Sequence, residues 1–212
     1  MTASARTIAR RRAARRRQRR RRIKVAAITV ATAVAASGML FVIAQMTGAS
    51  ASTYCVNQPA TFPAHGVAGW RGEQLENAAA IMRAGQKLGI EHDGLVIGVM
   101  TAMGESSLRN IDYGDWETSG VTNPDGTRTS SIGLFQQQSW WGSDAERMDA
   151  ETAATKFFTR LQRIPGWQQL PPSHAINRVQ INSDREHYAR FEADATEVVD
   201  ALSGDCVAPT DR

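Results

Sequence analysis

The feature that most restricts this chain is a run of 22 residues without a charge, Val25 to Met46, directly behind an arginine block. About 20 helical residues, at about 1.5 Å each, match the hydrocarbon core of a bilayer. Thr29, Thr32 and Ser37 do not veto a span, because their hydroxyls can return hydrogen bonds to their own helix. The block from Arg10 to Arg22 supplies the positive charge that stays on the cytoplasmic side. The expectation is a cytoplasmic tail over 1–24 and a transmembrane or signal-anchor helix over 25–46, with the body extracytoplasmic at the cell membrane. A cleaved signal peptide competes with this, since Ala49-Ser50-Ala51 has the small-x-small form of a cleavage site, and cutting after Ala51 gives a secreted protein. The apolar run exceeds the usual h-region of about 7–15 residues, which favours the anchor. Ser52-Thr53-Tyr54 before Cys55 does not resemble a lipoprotein signal.

The formal charge of +4 hides an asymmetry. Residues 1–24 hold 11 Arg, one Lys and no acid, hence +12, whereas the remaining 13 basic and 21 acidic residues sum to −8. A basic nucleic-acid groove in the body is therefore not expected, and nucleic-acid binding by the arginine tail is left as a secondary reading. Behind the apolar run lie about 160 residues, enough for one domain and too few for two. A hydrophobic content of 42% with irregularly placed glycine excludes disordered and collagen-like chains.

Cys55 and Cys206 bracket the body, both on the side expected to be oxidising. A bridge would close a loop of about 150 residues, for which chain-entropy arguments suggest about 5 kcal/mol; two unpaired thiols are the alternative. His65, His92, His174 and His187 are scattered, with no ligand at i+3 or i+4, so neither metal nor cofactor is expected.

The spacing of apolar residues predicts a mainly α body. Residues 47–69, small, polar and proline-containing, read as a linker, and 70–206 as the domain, followed by a short tail over 207–212. Glu73 to Leu88 has Leu75, Ala79 and Met82 at helical spacing and Gly89 as a stop. Leu95 to Met103 is apolar nearly all round, so it must be buried on most sides and forms the central helix. Asp149 to Arg163 reads as a helix capped by Asp149, with the row Ala154, Phe157, Phe158, Leu161 and a terminator at Pro165-Gly166. A shorter helix covers His174 to Gln180. The last spans Asp184 to Leu202, with Ser183 and Glu186 as a capping box and an apolar row from Tyr188 to Leu202. Thr118 to Ile132 contains Asn123-Pro124-Asp125-Gly126, the signal for a small hairpin or ordered loop.

Glu105-Ser106-Ser107-Leu108 follows the central helix. A carboxyl at the end of a dry helix is partly desolvated, which raises its pKa and lets it hold a proton near neutrality. That is the task of the general acid in glycosidic cleavage. The bland alternative is an i, i+4 pair of Glu105 with Arg109.

Glu105-Ser106, followed 28 residues after the Glu by Gly133-Leu134-Phe135-Gln136, resembles the two leading motifs of soluble lytic transglycosylases and goose-type lysozymes. The resemblance is closer still to secreted lysozyme-like domains of Gram-positive, actinobacterial type. Pro165-Gly166-Trp167, Val179-Gln180 and Tyr188 belong to the same pattern, which covers roughly Gln74 to Leu202. It implies a lysozyme-like fold acting on the glycan strands of peptidoglycan, without a cofactor. Glu105 would be the single acid/base at the bond between N-acetylmuramic acid and N-acetylglucosamine. Ser106 would orient it or contact sugar, Gly133 would let the backbone approach closely, Gln136 would hydrogen-bond substrate, and Tyr188 would border the site. The chain departs at the third motif, where Ala175-Ile176-Asn177 replaces the usual Ala-Tyr-Asn, so Gln180 is assigned to substrate more weakly.

Product chemistry turns on a second carboxylate. Inverting hydrolysis needs a base roughly 6.5–9.5 Å from the acid to hold water, and Asp112, Asp115 and Asp125 are the candidates, although each also suits a turn. A transglycosylase needs none, because the muramic acid's own C6 hydroxyl attacks; this is narrowly preferred over a hydrolytic muramidase. A catalytically silent peptidoglycan-binding or scaffolding protein is the rival from another class. Among Trp70, Trp116, Trp140, Trp141 and Trp167, the adjacent Trp140 and Trp141 are candidates to stack on sugar rings, with core packing as the alternative, and Trp167 suits the core.

Overall fold

The computed structural model describes residues 54–205, so the expected span over 25–46, Cys206 and the tail over 207–212 lie outside the described residues. Among the described residues no helix is long and apolar enough to cross a membrane. Seven α-helices carry the fold of the described residues: α1 (Glu73–Lys87), α2 (His92–Ser106), α3 (Asp115–Ser119), α4 (Asp144–Met148), α5 (Ala150–Leu161), α6 (Pro172–Gln180) and α7 (Glu192–Leu202). Extended structure is limited to isolated bridges among the described residues, so the body is mainly α.

α2 is central for the reason its sequence gives. With Leu95, Val96, Ile97, Val99, Met100, Ala102 and Met103 all buried, it has no polar face, and α1, α5, α6 and α7 pack around it. Glycines set how closely they approach. A Cβ on Gly98 would lie 2.4 Å from Phe158 Cζ, and one on Gly85 would lie 3.1 Å from Phe158 Cε2. The Phe158 ring of α5 thus fills the space these two glycines leave on α2 and α1. Glu151 ties α5 to α1 at the surface through Arg83 at 2.6 Å and Lys87 at 2.5 Å.

The expected N-cap of α5 is present: the Asp149 carboxylate accepts from Thr152 N–H at 2.8 Å. The predicted hairpin reduces to one bridge between Thr122 and Arg128, where Asp125 accepts from Thr127 N–H at 2.9 Å. α3 and α4 were not expected, because five residues are too few to establish a period.

Two expectations are corrected. The final helix starts at Glu192 rather than Asp184, after a turn over 185–188 and a 3-10 turn over Ala189–Phe191. The Ser183–Glu186 capping box is replaced by Glu186 N–H donating to Asp184 at 2.9 Å. Ser173 of α6 then captures the turn, donating to Arg185 O at 2.6 Å and accepting from Tyr188 N–H at 3.3 Å. The apolar row does face the core, with Tyr188, Ala195, Val198 and Leu202 buried and Phe191 partly so, but tertiary bonds from Ser173 break the helix that would have carried it. The linker expected over 47–69 also changes in its described part. Cys55, Val56 and Val67 are buried, and Val56 and Val67 join the core. Val56 N–H donates to Leu202 O at 3.0 Å, and Cys55 pairs with Ser203, so this segment lies along the end of α7.

Candidate active site

The site begins where α2 stops. Glu105 and Ser106 occupy its last turn, and Ser107 and Leu108 follow with φ of +54° and +56°. Two consecutive non-glycine residues in the left-handed region cost roughly 1–2 kcal/mol each. α1 holds them there: Gln74 donates to Ser107 O and Asn77 to Leu108 O, both at 2.9 Å. Leu108 repays part of the cost by full burial. The chain leaves α2 abruptly, and Glu105 remains half-buried at the helix end with part of its surface open.

Ser106 is buried with its hydroxyl 2.9 Å from Leu134 O and 3.2 Å from Ala102 O. It therefore fastens a second segment to α2 rather than reaching Glu105 or an open cleft. That segment is a tight loop in which Ile132 and Gln137 exchange backbone hydrogen bonds of 3.2 and 3.0 Å around Gly133-Leu134-Phe135-Gln136. Leu134 and Phe135 point into the core, where Phe135 stacks on Phe157 at 5.0 Å. Gly133 has φ of +78°, and a Cβ there would lie 2.2 Å from Arg147 O, so the close approach is to the protein's own backbone. Gln136 Nε2 donates to Tyr113 O at 3.2 Å, which draws the segment before α3 onto the loop.

Tyr188 closes the other side. Its hydroxyl donates to Glu105 Oε1 and accepts from Asn182 Nδ2 at 2.9 Å. Asn177 Nδ2 in turn donates to Asn182 O and Oδ1, both at 2.8 Å. The ring of Tyr188 reaches this position because residue 104 is glycine: a Cβ there would lie 2.5 Å from Tyr188 Cδ1. Gln180 donates to Phe135 O at 2.9 Å, and its amide is near enough to Glu105 to favour the ionised carboxylate slightly. Between Gln180 and Asn182, Ile181 takes φ of +57° and is 84% exposed, a conformation that β-branched residues rarely adopt. It turns the chain so that both neighbours serve the site.

Electrostatics follow from this enclosure. Burial pushes the Glu105 carboxyl from its ordinary 4.5 up to about 7, opposed by the bond from Tyr188, reinforced by the charge of Asp115 and opposed again by Gln180. The Tyr188 hydroxyl is driven well above its ordinary value by burial and by the neighbouring carboxylate, so it stays a donor. With Tyr188 donating to Oε1, Oε2 is the oxygen that carries a transferable proton. The expected i, i+4 alternative with Arg109 is not formed.

The structure brings Glu105, Gln180 and Tyr188 together, with Ser106, Gly133 and Gln136 shaping the loop beside them. Among the three Asp candidates, Asp115 alone acts on Glu105 through its charge; Asp112 is exposed, and Asp125 is held below the usual carboxylate range by Thr127 in its turn. Trp140 and Trp141 make no hydrogen bond or ring contact to Glu105 among the described residues. Trp140 is 63% exposed, while Trp141 packs under the Arg160 guanidinium at 3.3 Å. Gly104, Asn177 and Asn182 were not singled out as site residues from sequence. Only Asn177 carried a signal, as the asparagine of the altered third motif. Arg147 was also missed; it is buried and donates to Gln137 O at 2.7 Å and to Asp144 at 2.5 Å, holding the Gly133 loop from behind. Among the described residues no three His, Cys, Asp or Glu side chains converge as a metal site would require. No family model and no curated protein sequence matches the chain.

Proposed function

We propose that the chain cleaves the β-1,4 bond between N-acetylmuramic acid and N-acetylglucosamine in peptidoglycan, as a lytic transglycosylase of lysozyme-like fold. The observation that carries this reading is the Glu105 carboxyl, raised to about 7 by burial and oriented by a hydroxyl that is itself held by Asn182. Such a group is half protonated at neutral pH, as a general acid must be. Its Oε2 proton goes to the glycosidic oxygen as the bond to C1 breaks. The carboxylate then accepts the proton of the muramic acid's C6 hydroxyl as that oxygen attacks C1, which closes a 1,6-anhydro ring and restores Glu105. Tyr188 keeps the carboxyl in one orientation through both transfers. Gln180 and the Gly133–Gln136 loop form the adjacent wall. No cofactor enters this scheme.

A hydrolytic variant has one specific support, the charge of Asp115 acting on Glu105. In that version Asp115 activates water in place of the C6 hydroxyl. The proposal further includes a single-pass anchor over residues 25–46, with the body extracytoplasmic, and a bridge between Cys55 and Cys206. Support for the bridge comes from Cys55, which is buried and not a free thiol, and whose backbone pairs with Ser203, three residues before Cys206.

The test is mass spectrometry of soluble fragments released from purified peptidoglycan by the full chain in mild detergent, prepared oxidised. Anhydro-muramyl ends are expected. Reducing muramyl ends replace transglycosylation by hydrolysis and make Asp115 the first base to mutate. Release of nothing by a folded sample, or equal release by Glu105→Gln, refutes the catalytic reading.

A further inference from the structure

At the opposite end of α2 from Glu105 lies a concave surface that the proposed chemistry does not use. Two adjoining cavities of about 610 and 290 Å³ share His92, Asp93, Trp167 and Gln168, so Trp167 lines both. Its ring is seated by Gly94, where a Cβ would lie 2.9 Å from Trp167 Cη2 and 2.4 Å from Ile90 Cγ2. A helical glycine costs about 1 kcal/mol relative to alanine, and here that cost lets the indole lie against α2. Trp167 is half-buried and packs on the core, as its sequence context suggested, yet it also faces both cavities.

Three of the polar groups around the ring are not engaged. Trp167 Nε1, the Gln168 amide and the Glu91 carboxylate have no hydrogen-bond partner among the described residues. Trp70, by contrast, spends its N–H on Asp194 at 3.3 Å. A half-buried indole with an open N–H, beside an amide and a carboxylate in a cavity of this size, suits a ligand with one apolar face and many hydroxyl and amide groups. Charge narrows the choice. Glu91, Asp93 and Glu192 line the cavities against the single His92, which is already held by Asp93 at 3.2 Å and Asp200 at 2.7 Å. Anionic ligands are disfavoured there.

We propose that this groove is a second saccharide site, binding a neutral run of N-acetylated hexosamines apart from Glu105. The choice of ligand rests on the peptidoglycan reading. Asp93 and Glu105 are twelve residues apart on α2, about 18 Å along the axis, so the groove can retain glycan polymer while Glu105 reacts. It contributes retention rather than chemistry.

The test uses the full chain in detergent, carrying Glu105→Gln so that nothing is cut, and measures its sedimentation with purified insoluble peptidoglycan. Trp167→Ala is expected to weaken binding about tenfold and the exposed Gln168→Ala about threefold, with little change between about 50 and 500 mM salt. With Glu105 intact, both substitutions should slow lysis of whole sacculi and leave cleavage of a short soluble fragment unchanged. Parent-like binding and lysis by Gln168→Ala and by folded Trp167→Ala overturn the proposal, as does binding that collapses in high salt. Should Trp167→Ala fail to fold, Gln168→Ala decides alone. A parent that binds through Trp167 but cuts nothing sinks the catalytic reading and supports the groove; a parent that cuts without dependence on either residue does the reverse.

Discussion

Replacing Glu105 by Gln tests the site through stability, before any substrate is involved. Burial raises the carboxyl from 4.5 to about 7, so the folded protein binds this proton more tightly than the unfolded chain does. For a raised pKa the contribution to stability is complete below about pH 4.5 and is lost as pH rises through about 7. At about 1.4 kcal/mol per pH unit, the full loss is about 3 kcal/mol. Gln keeps an oxygen for the Tyr188 hydroxyl, has nearly the same volume and never ionises, so the variant escapes the loss. Urea unfolding of parent and Glu105→Gln in the same detergent should give close stabilities at pH 4 and a more stable variant at pH 8, by up to about 3 kcal/mol. All other titrating groups are common to both proteins and cancel in the difference. A gap that does not change with pH would mean that the carboxyl ionises at its ordinary value. The argument for a general acid would then fail.

Other expectations follow from the same contacts. Lysis of sacculi should fall above about pH 7 along a single-proton limb; Asp115→Asn should move that limb down and Tyr188→Phe should move it up, because the Asp115 charge raises the Glu105 pKa and the Tyr188 bond lowers it. Tyr188→Phe should also lower kcat about tenfold, the cost of about 1.4 kcal/mol for one lost orienting bond. Gly104→Ala places a methyl group 2.5 Å from Tyr188 Cδ1; overpacking of about 1–3 kcal/mol against a helix gain of about 1 kcal/mol predicts a lower Tm by calorimetry and slower lysis. Ser106→Ala should cost about 1–2 kcal/mol in denaturant melts by leaving Leu134 O unpaired, with KM on a short soluble fragment near the parent's.

Burial was the most legible property in the sequence. The all-round apolar character of Leu95 to Met103 placed α2 at the centre, and it put Glu105 at the end of a dry helix, from which a raised pKa follows directly. The rows from Ala154 to Leu161 and from Tyr188 to Leu202 were read as core-facing for the same reason, since helical period reports which side a residue faces. Continuity was not legible: the second row is divided between a turn and α7, because Ser173 captures residues 185–188 from another helix. Five-residue helices such as α3 and α4 leave no period to detect.

What the sequence determined by itself is the set of local commitments. These are a mainly α body, a carboxyl stranded at the end of its most apolar helix, a net-negative domain and a glycine-started loop 28 residues further on. What tertiary structure decided is which groups meet. That Tyr188 rather than Arg109 bonds Glu105, that Ser106 serves the loop, and that Gly133 yields to the Arg147 carbonyl depend on contacts between segments many residues apart. Gly104, which has no Cβ, lies on both sides of this division. In sequence it is an unremarked residue before a Glu, and in the fold it is the vacancy that admits the Tyr188 ring. Helical propensity and period act over a few residues, whereas this vacancy is filled from 84 positions away, and only the folded chain brings the two together.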